Sequence, residues 1–297
     1  MKLKCCIWLK DIARSFLLYL TSKEWIRVRL RRLSLYYGLP SFLWKRLPVN
    51  SNFIVSINDR VKFTYCSTSP DTIGRALYWK GLKSWEADTI PIYYSIAKDA
   101  RIVLDIGANT GFYSLLACAA NPYSEVFAFE PVPKVFARLS TNIFKNNFQN
   151  RCHALEFAVS NSIGFSDFCE LEGGIPTSSS FNVNGFRGYK GNVYKVKTTT
   201  IDAMSLIPFN KVDLVKIDVE GYEDIVLEGM KVLFENCRPS IIIECNYDGP
   251  FLSVERILKG YGYNFYHITS DGLKYTDRIS PDLTGKFLNF LCLPSDN

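Results

Sequence analysis

From residue 101 onward, short apolar runs alternate with amphipathic stretches, and this alternation most constrains the fold. The run 101-RIVLDIG-107 precedes a segment of helical periodicity over 112–120, and 125-EVFAFEP-131 precedes another over 133–146. Further apolar runs stand at 152-CHALEFAVS-160, 212-VDLVKID-218 and 239-PSIIIEC-245. Apolar strands separated by helix-length segments predict a mostly parallel sheet with helices on both faces. The runs 261-YGYNFYHIT-269 and 286-KFLNFLCLP-294 add two strands as the hairpin edge of that sheet, giving seven strands in all. A separate small β-hairpin is expected from 53-FIVSI-57 and 61-VKFTYC-66, with Asn58, Asp59 and Arg60 at the turn. The expected division is a basic amphipathic arm over residues 1–50, a hairpin and lead-in over 51–85, and an α/β domain over 86–297. Residues 172–192 carry five glycines and little periodicity. A connection of that length is more often functional than incidental, and it is the expected substrate lid.

Charge sets the arm apart. Residues 1–50 hold eleven Lys/Arg against Asp11 and Glu24, a balance of +9 within an overall +6, so the other 247 residues carry −3. Basic charge this local argues against a domain-wide nucleic-acid surface. Lys10, Asp11 and Arg14 interrupt the apolar patches of the arm. No run therefore approaches the roughly 18–20 uncharged residues of a membrane span, and no secretory leader is expected. Trp25, Leu30 and Tyr36 mixed with Arg27, Arg29, Arg31 and Arg32 suit either an interfacial segment on anionic lipid or a helix docked on the domain. The alternation of Arg27, Arg29 and Arg31 with Val28 and Leu30 also leaves helix and strand open there. Nine cysteines without a CxxC pair, several inside apolar runs, read as reduced thiols of a cytoplasmic protein, with or without association to the inner face of a membrane. His153 and His267 are the whole histidine complement, too few for a multi-histidine metal centre.

In an open parallel sheet, ligands bind beyond the carboxyl ends of the strands where the strand order reverses. The first such turn, 105-DIGANTG-111, spaces its glycines G-x-x-x-G rather than the G-x-G-x-x-G of dinucleotide sites. Asp105 would oppose a pyrophosphate at the following helix N-terminus but attract a ligand bearing an ammonium and a sulfonium, which S-adenosylmethionine does. Glu130, 25 residues on, stands where an acid can accept both hydroxyls of a ribose.

Taken together, VLDIGANTGFYSL, VFAFEP, the strand ending FAVS, TTIDA, VKIDVEGYE, PSIIIEC and the terminal NFLCLP resemble the FkbM family of S-adenosylmethionine-dependent methyltransferases, in the family's order and over roughly residues 86–294. The resemblance implies a Rossmann-like class I methyltransferase acting on hydroxyl oxygens, commonly of sugars in glycans, glycolipid precursors or secondary metabolites. By motif match, Asp105, Gly107, Asn109 and Gly111 would surround the methionyl part of the cofactor, Glu130 the ribose and Ala158 the adenine region. The basic arm lies outside the shared pattern.

The stretch 216-KIDVEGYED-224 then acquires a role. Side chains alternate along an extended strand, so Lys216, Asp218 and, if the extension persists, Glu220 would share one side at the carboxyl edge. A sugar hydroxyl is a weak nucleophile that an adjacent base assists. Asp218 is the first candidate for that base or hydroxyl-orienting acceptor and Glu220 the second. Lys216 would hold them ionised, or serve as base itself if desolvated. Glu223 and Asp224 fit the first turn of the next helix. No metal site is favoured, although Asp218, Glu244 and Asn246 at neighbouring strand ends have the oxygen chemistry for Mg²⁺. An NAD(P)-dependent oxidoreductase and a non-catalytic membrane-peripheral binding protein are the competing readings.

Overall fold

The computed structural model describes residue 19, residues 23–171 and residues 191–295. These fall into two compact units, one of the described residues up to Val55 with Tyr65–Ala87, the other of Ser56–Thr64 with the described residues from Asp88 onward.

The first unit contains helices α1 (Glu24–Tyr37) and α2 (Ser41–Trp44), most of the hairpin strands β1 (Ser51–Ser56) and β2 (Lys62–Ser67), and helix α3 (Thr72–Lys80). The middle of the basic arm is thus helical. Its inward face is mixed, because Arg27 and Arg31 are half-buried alongside Ile26 and Leu30. The Arg31 guanidinium lies 5.0 and 4.7 Å from the ring centroids of Phe53 and Tyr78, and its Nε donates to the Tyr78 carbonyl at 3.2 Å. A planar, weakly hydrated guanidinium suits such stacking. Ser34, buried beside it, donates to the Trp79 carbonyl. Helix α3 starts where Asp71 accepts the Gly74 N–H at 2.8 Å, a side-chain cap of the usual kind.

The second unit runs α4 (Thr89–Ala97), β3 (Ile102–Ile106), α5 (Phe112–Ala120), β4 (Glu125–Phe129), α6 (Pro133–Lys145), β5 (Cys152–Leu155), β6 (Ala158–Val159), β7 (Gly164–Leu171), β8 (Gly191–Thr199), β9 (Val212–Ile217), α7 (Glu223–Glu228), α8 (Lys231–Asn236), β10 (Ser240–Glu244), α9 (Phe251–Gly260), β11 (Tyr263–Thr269), β12 (Gly272–Thr276) and β13 (Asn289–Pro294). The hairpin tip belongs here, its turn held by Asn58 Oδ1, which accepts from the N–H groups of Arg60 and Val61 at 2.9 and 2.8 Å.

The main sheet has the order β12-β11-β13-β10-β9-β3-β4-β5. Strands β10, β9, β3, β4 and β5 pair in parallel, while β13 is antiparallel to β10 and β11, and β12 antiparallel to β11. From β3 the chain steps to β4 and β5 in one direction, and from β9 to β10 in the other. Right-handed crossovers in opposite directions put α5 and α6 on one face and α7, α8 and α9 on the other. The Rossmann-like α/β expectation holds, with two differences. The sheet has eight strands and not seven, since β12 pairs with β11 at the edge. The apolar run 152–160 is not one strand: β5 ends at Leu155, and Ala158–Val159 pair with β8 in a separate three-stranded sheet, β6-β8-β7. Of the expected lid, residues 172–190 lie outside the described residues, while Gly191 and Asn192 open β8. The central parallel strands are buried on both faces: every residue of β3 is buried, and Leu104, Val215, Ile217, Ile241 and Ile243 are fully enclosed. The strand order reverses between β3 and β9, which places the carboxyl-end loops of these two strands side by side.

Candidate active site

Two loops meet at that reversal, and backbone contacts join them. After β3 the chain takes three left-handed residues, Gly107 (φ 82°), Asn109 (φ 50°) and Gly111 (φ 92°), while the N–H groups of Gly107 and Ala108 donate to the Phe129 carbonyl at 3.0 and 2.9 Å. After β9 the Asp218 N–H donates to the Ile106 carbonyl at 3.0 Å. A β-carbon at Gly107 would stand 1.9 Å from the Asp218 carbonyl oxygen, and one at Gly111 would stand 2.6 Å from Leu139 Cδ1 of α6. The missing side chains therefore make room for protein: Gly107 admits the β9 loop and Gly111 admits α6.

Glu130 at the end of β4 links this loop to the next turn. One carboxylate oxygen accepts the Asn109 N–H at 3.0 Å and the other the Val132 N–H at 2.9 Å. Burial pushes its carboxyl up to about 7, against the pull of those two N–H groups.

Beneath the loops lies a buried charge cluster. Asp105 and Lys216 are register partners on adjacent parallel strands, so their side chains share a face of the sheet. Asp105 accepts from Ser114 Oγ of α5 at 2.5 Å. Burial raises its carboxyl to about 6, with the Ser114 hydrogen bond and the Lys216 charge holding it down. Lys216, fully buried, extends Nζ to 3.5 Å from Asp218 Oδ2 and 5.5 Å from the Tyr113 ring centroid. An ammonium enclosed in a parallel sheet is costly unless it faces anions, and this one faces two.

Asp218 reaches the surface, its side chain 26% exposed. A carboxylate oxygen of Glu244, at the end of neighbouring β10, lies within 4.8 Å of one of Asp218, and buried Asn246 donates to Glu244 at 3.3 Å. The condition attached to Glu220 is not met, because β9 ends at Ile217 and Glu220 turns left-handed (φ 54°) before Gly221 (φ 100°). The structure thus brings together Asp105, Gly107, Lys216 and Asp218, with Asn109, Gly111 and Glu130 along the first loop. Ala158 sits in β6, buried with Val132, Val135, Phe168 and Val196.

Two participants escape the sequence reading. Ser114, the polar partner of Asp105, is recognisable only once α5 is known to start at Phe112 and to carry it back over β3. Glu223 does occupy the first turn of α7, but it is also 1% exposed, accepts the Gly221 N–H at 2.8 Å and is raised by burial to about 7. It thereby fastens the turn that follows Asp218. The histidines stand apart, His153 against Glu125 at 2.9 Å and His267 stacked on Phe290 at 4.5 Å. A groove of about 720 Å³ beside edge strand β5, lined in part by Phe144, Cys152, Leu155 and Leu206, contains none of the candidate residues.

The sequence model of the methyltransferase FkbM domain matches residues 105–265, more than half of the chain, from Asp105 through both loops into β11. The chain belongs to the FkbM methyltransferase family. Among relatives, the hexuronic acid methyltransferase AglP of Haloferax volcanii is 30% identical over 154 residues, covering 49% of this chain and 56% of that protein. Methyltransferase 1 of Beauveria bassiana is 24% identical over 181 residues, 56% of this chain and 73% of its own length. The 31-O-demethyl-FK506 methyltransferase FkbM of Streptomyces tacrolimicus is 26% identical over 191 residues, 54% and 72% respectively. A solved FkbM methyltransferase from Methylobacillus flagellatus superposes with a TM-score of 0.43 at 14% identity, covering 65% of this chain and 43% of that one. The FkbM match excludes α1 and the rest of the first unit.

Proposed function

We propose that this FkbM-family methyltransferase transfers a methyl group from S-adenosylmethionine to a hydroxyl oxygen of a sugar-bearing acceptor, with Asp218 taking or orienting the hydroxyl proton. The observation that carries this reading is the contrast in exposure within the cluster. Asp105, Glu130, Lys216 and Glu223 are all buried, and Asp218, braced by Lys216 3.5 Å behind it, opens to solvent at the carboxyl edge of the sheet.

The donor chemistry suits the cofactor. Asp105, Glu130, Asp218 and Glu244 set acids against the ammonium of Lys216, a balance that favours a cationic ligand with hydroxyl donors over a pyrophosphate. When bound, S-adenosylmethionine supplies an electrophilic methyl group on a sulfonium sulfur. Asp105, Gly107, Asn109 and Gly111 would hold its methionyl part. Glu130, which spends one lone pair of each oxygen on a backbone N–H, keeps a second on each for the ribose hydroxyls. Ala158 and its apolar neighbours would flank the adenine. Displacement at methyl needs mainly alignment, so the protein's work falls on positioning the acceptor and removing its proton. Asp218 accepts that proton and Lys216 fixes its carboxylate, while Glu220, beyond the end of β9, loses the shared side on which its role as alternate acceptor rested. A sugar acceptor is supported by the relative named a hexuronic acid methyltransferase, and an oxygen acceptor by a 2-O-methyltransferase, NoeI of Sinorhizobium fredii, at 28% identity over 154 residues.

Titration calorimetry with S-adenosylhomocysteine tests the cofactor, and no heat at millimolar ligand removes the proposal. Asp218→Asn should keep that binding and lose transfer by about a hundredfold or more, the scale of a general base. Undiminished cellular function in this variant would instead favour a non-catalytic role. The proximity of Asp218 and Glu244 supports a second reading, in which these two carboxylates would hold a divalent cation whose chemistry would be to acidify the hydroxyl. Activity unchanged by EDTA excludes it.

A further inference from the structure

Helix α1 is amphipathic in an inverted sense. Ile26, Arg27, Leu30, Arg31 and Ser34, spaced as one helical face, are half-buried or buried in the first unit. The opposite stripe, Trp25, Val28, Arg29, Arg32, Leu33 and Tyr36, follows the spacing i, i+3, i+4, i+7, i+8, i+11 and is exposed along its whole length. Trp25 is 63% and Tyr36 81% exposed, and the Arg29 guanidinium sits 5.5 Å from the Trp25 ring centroid. Glu24 is the only acid in the helix.

We propose that this face seats the protein on an anionic lipid bilayer. Trp25, Val28, Leu33 and Tyr36 enter the interface, and Arg29 and Arg32 contact lipid phosphates. The mixture decides the partner. Aromatic rings and arginines interleaved with aliphatic side chains match the boundary between headgroups and acyl chains. A nucleic acid would match the two arginines but leave Val28 and Leu33 against a polar backbone. A second copy of the same face would oppose arginine to arginine. At 14 residues the helix is about 21 Å long, short of the roughly 30 Å of a hydrocarbon core, so it lies in the surface plane. Among the described residues no helix is long and apolar enough to cross a membrane.

Co-sedimentation of the full chain with vesicles of phosphatidylglycerol and phosphatidylcholine tests this, with pure phosphatidylcholine vesicles and a single-stranded RNA oligonucleotide as comparison ligands. Binding is expected to the anionic vesicles, weakening between about 0.1 and about 1 M salt as the Debye length falls from about 10 to about 3 Å. R29Q/R32Q should weaken it about fivefold per arginine, the equivalent of about 1 kcal/mol each. W25S/Y36S should reduce it at all salt concentrations. Both variants alter exposed positions, and unchanged thermal melting verifies that they fold. Wild-type binding by both folded variants, absence of vesicle binding, or binding to the RNA in preference to anionic vesicles overturns the proposal.

Discussion

Replacing Gly107 by alanine tests whether the two site loops are joined through the missing side chain. The new β-carbon would lie 1.9 Å from the Asp218 carbonyl oxygen, whereas ordinary contact begins at 3.4 Å, so the loops must part by about 1.5 Å. That separation stretches the 3.0 Å bond from the Asp218 N–H to the Ile106 carbonyl past useful length, a loss of about 1 kcal/mol. Alanine at φ 82° adds about 1–2 kcal/mol of backbone strain. The sum, about 2–3 kcal/mol, corresponds to a fall of about 4–12 °C in Tm for a domain of this size. Gly272→Ala is the internal control: its φ is 95°, but nothing stands within 4 Å of the added carbon, so it carries strain without collision. Calorimetric melting of both variants separates the two contributions. Gly107→Ala melting at or above Gly272→Ala would refute the collision argument. Under the proposed function, moving Asp218 by more than 1 Å should also slow methyl transfer about a hundredfold.

Glu223 offers a pH test. Its carboxyl is raised from 4.5 to about 7, so the folded chain holds this proton more tightly than the unfolded one, and stability is lost as pH rises through that window. Glu223→Gln keeps an acceptor for the Gly221 N–H and removes the titration. Urea unfolding should show the variant gaining about 3 kcal/mol on the wild type between pH 4 and pH 8, and a constant difference contradicts the burial argument. Lys216→Met should cost about 3–5 kcal/mol at pH 8, because it strands Asp105 beside Asp218. The loss should shrink at pH 5, below the value of about 6 for Asp105, and a pH-independent loss would mean that Lys216 contributes packing alone.

The parallel half of the sheet was legible because burial on both faces writes uninterrupted apolar runs, as in IVLDI and VFAF. β12 was not, since Leu273, Lys274 and Tyr275 point largely to solvent and an edge strand needs no apolar pattern. The break between Leu155 and Ala158 was hidden because Glu156 and Phe157 keep the average character of a strand while the chain changes sheets. Residues 72–80, counted only as lead-in, and residues 89–97, given no element within the α/β domain, are helices α3 and α4. At the site, Asp105, Glu130 and Asp218 stood out because acids ending apolar strands demand an explanation. Glu223 did not, because a carboxylate in a first helical turn already has one, and its burial depends on how the loop folds back. Gly107 and Gly111 were expected by motif match to surround the cofactor, whereas the neighbours that their missing side chains admit come from residues 28 and more than 100 positions away.

The union of the two loops has a consequence for engineering within the FkbM family. The DIGANTG and KIDVEGYE segments are separated by more than a hundred residues, yet one backbone hydrogen bond and one absent methyl group make them a single part. Grafting the first loop from a relative without its matching second loop would import a foreign seam at the centre of the site. Chimeras should therefore exchange the two segments as a pair, and activity recovered on restoring the partner loop would identify the seam, rather than either loop, as the unit that was transplanted.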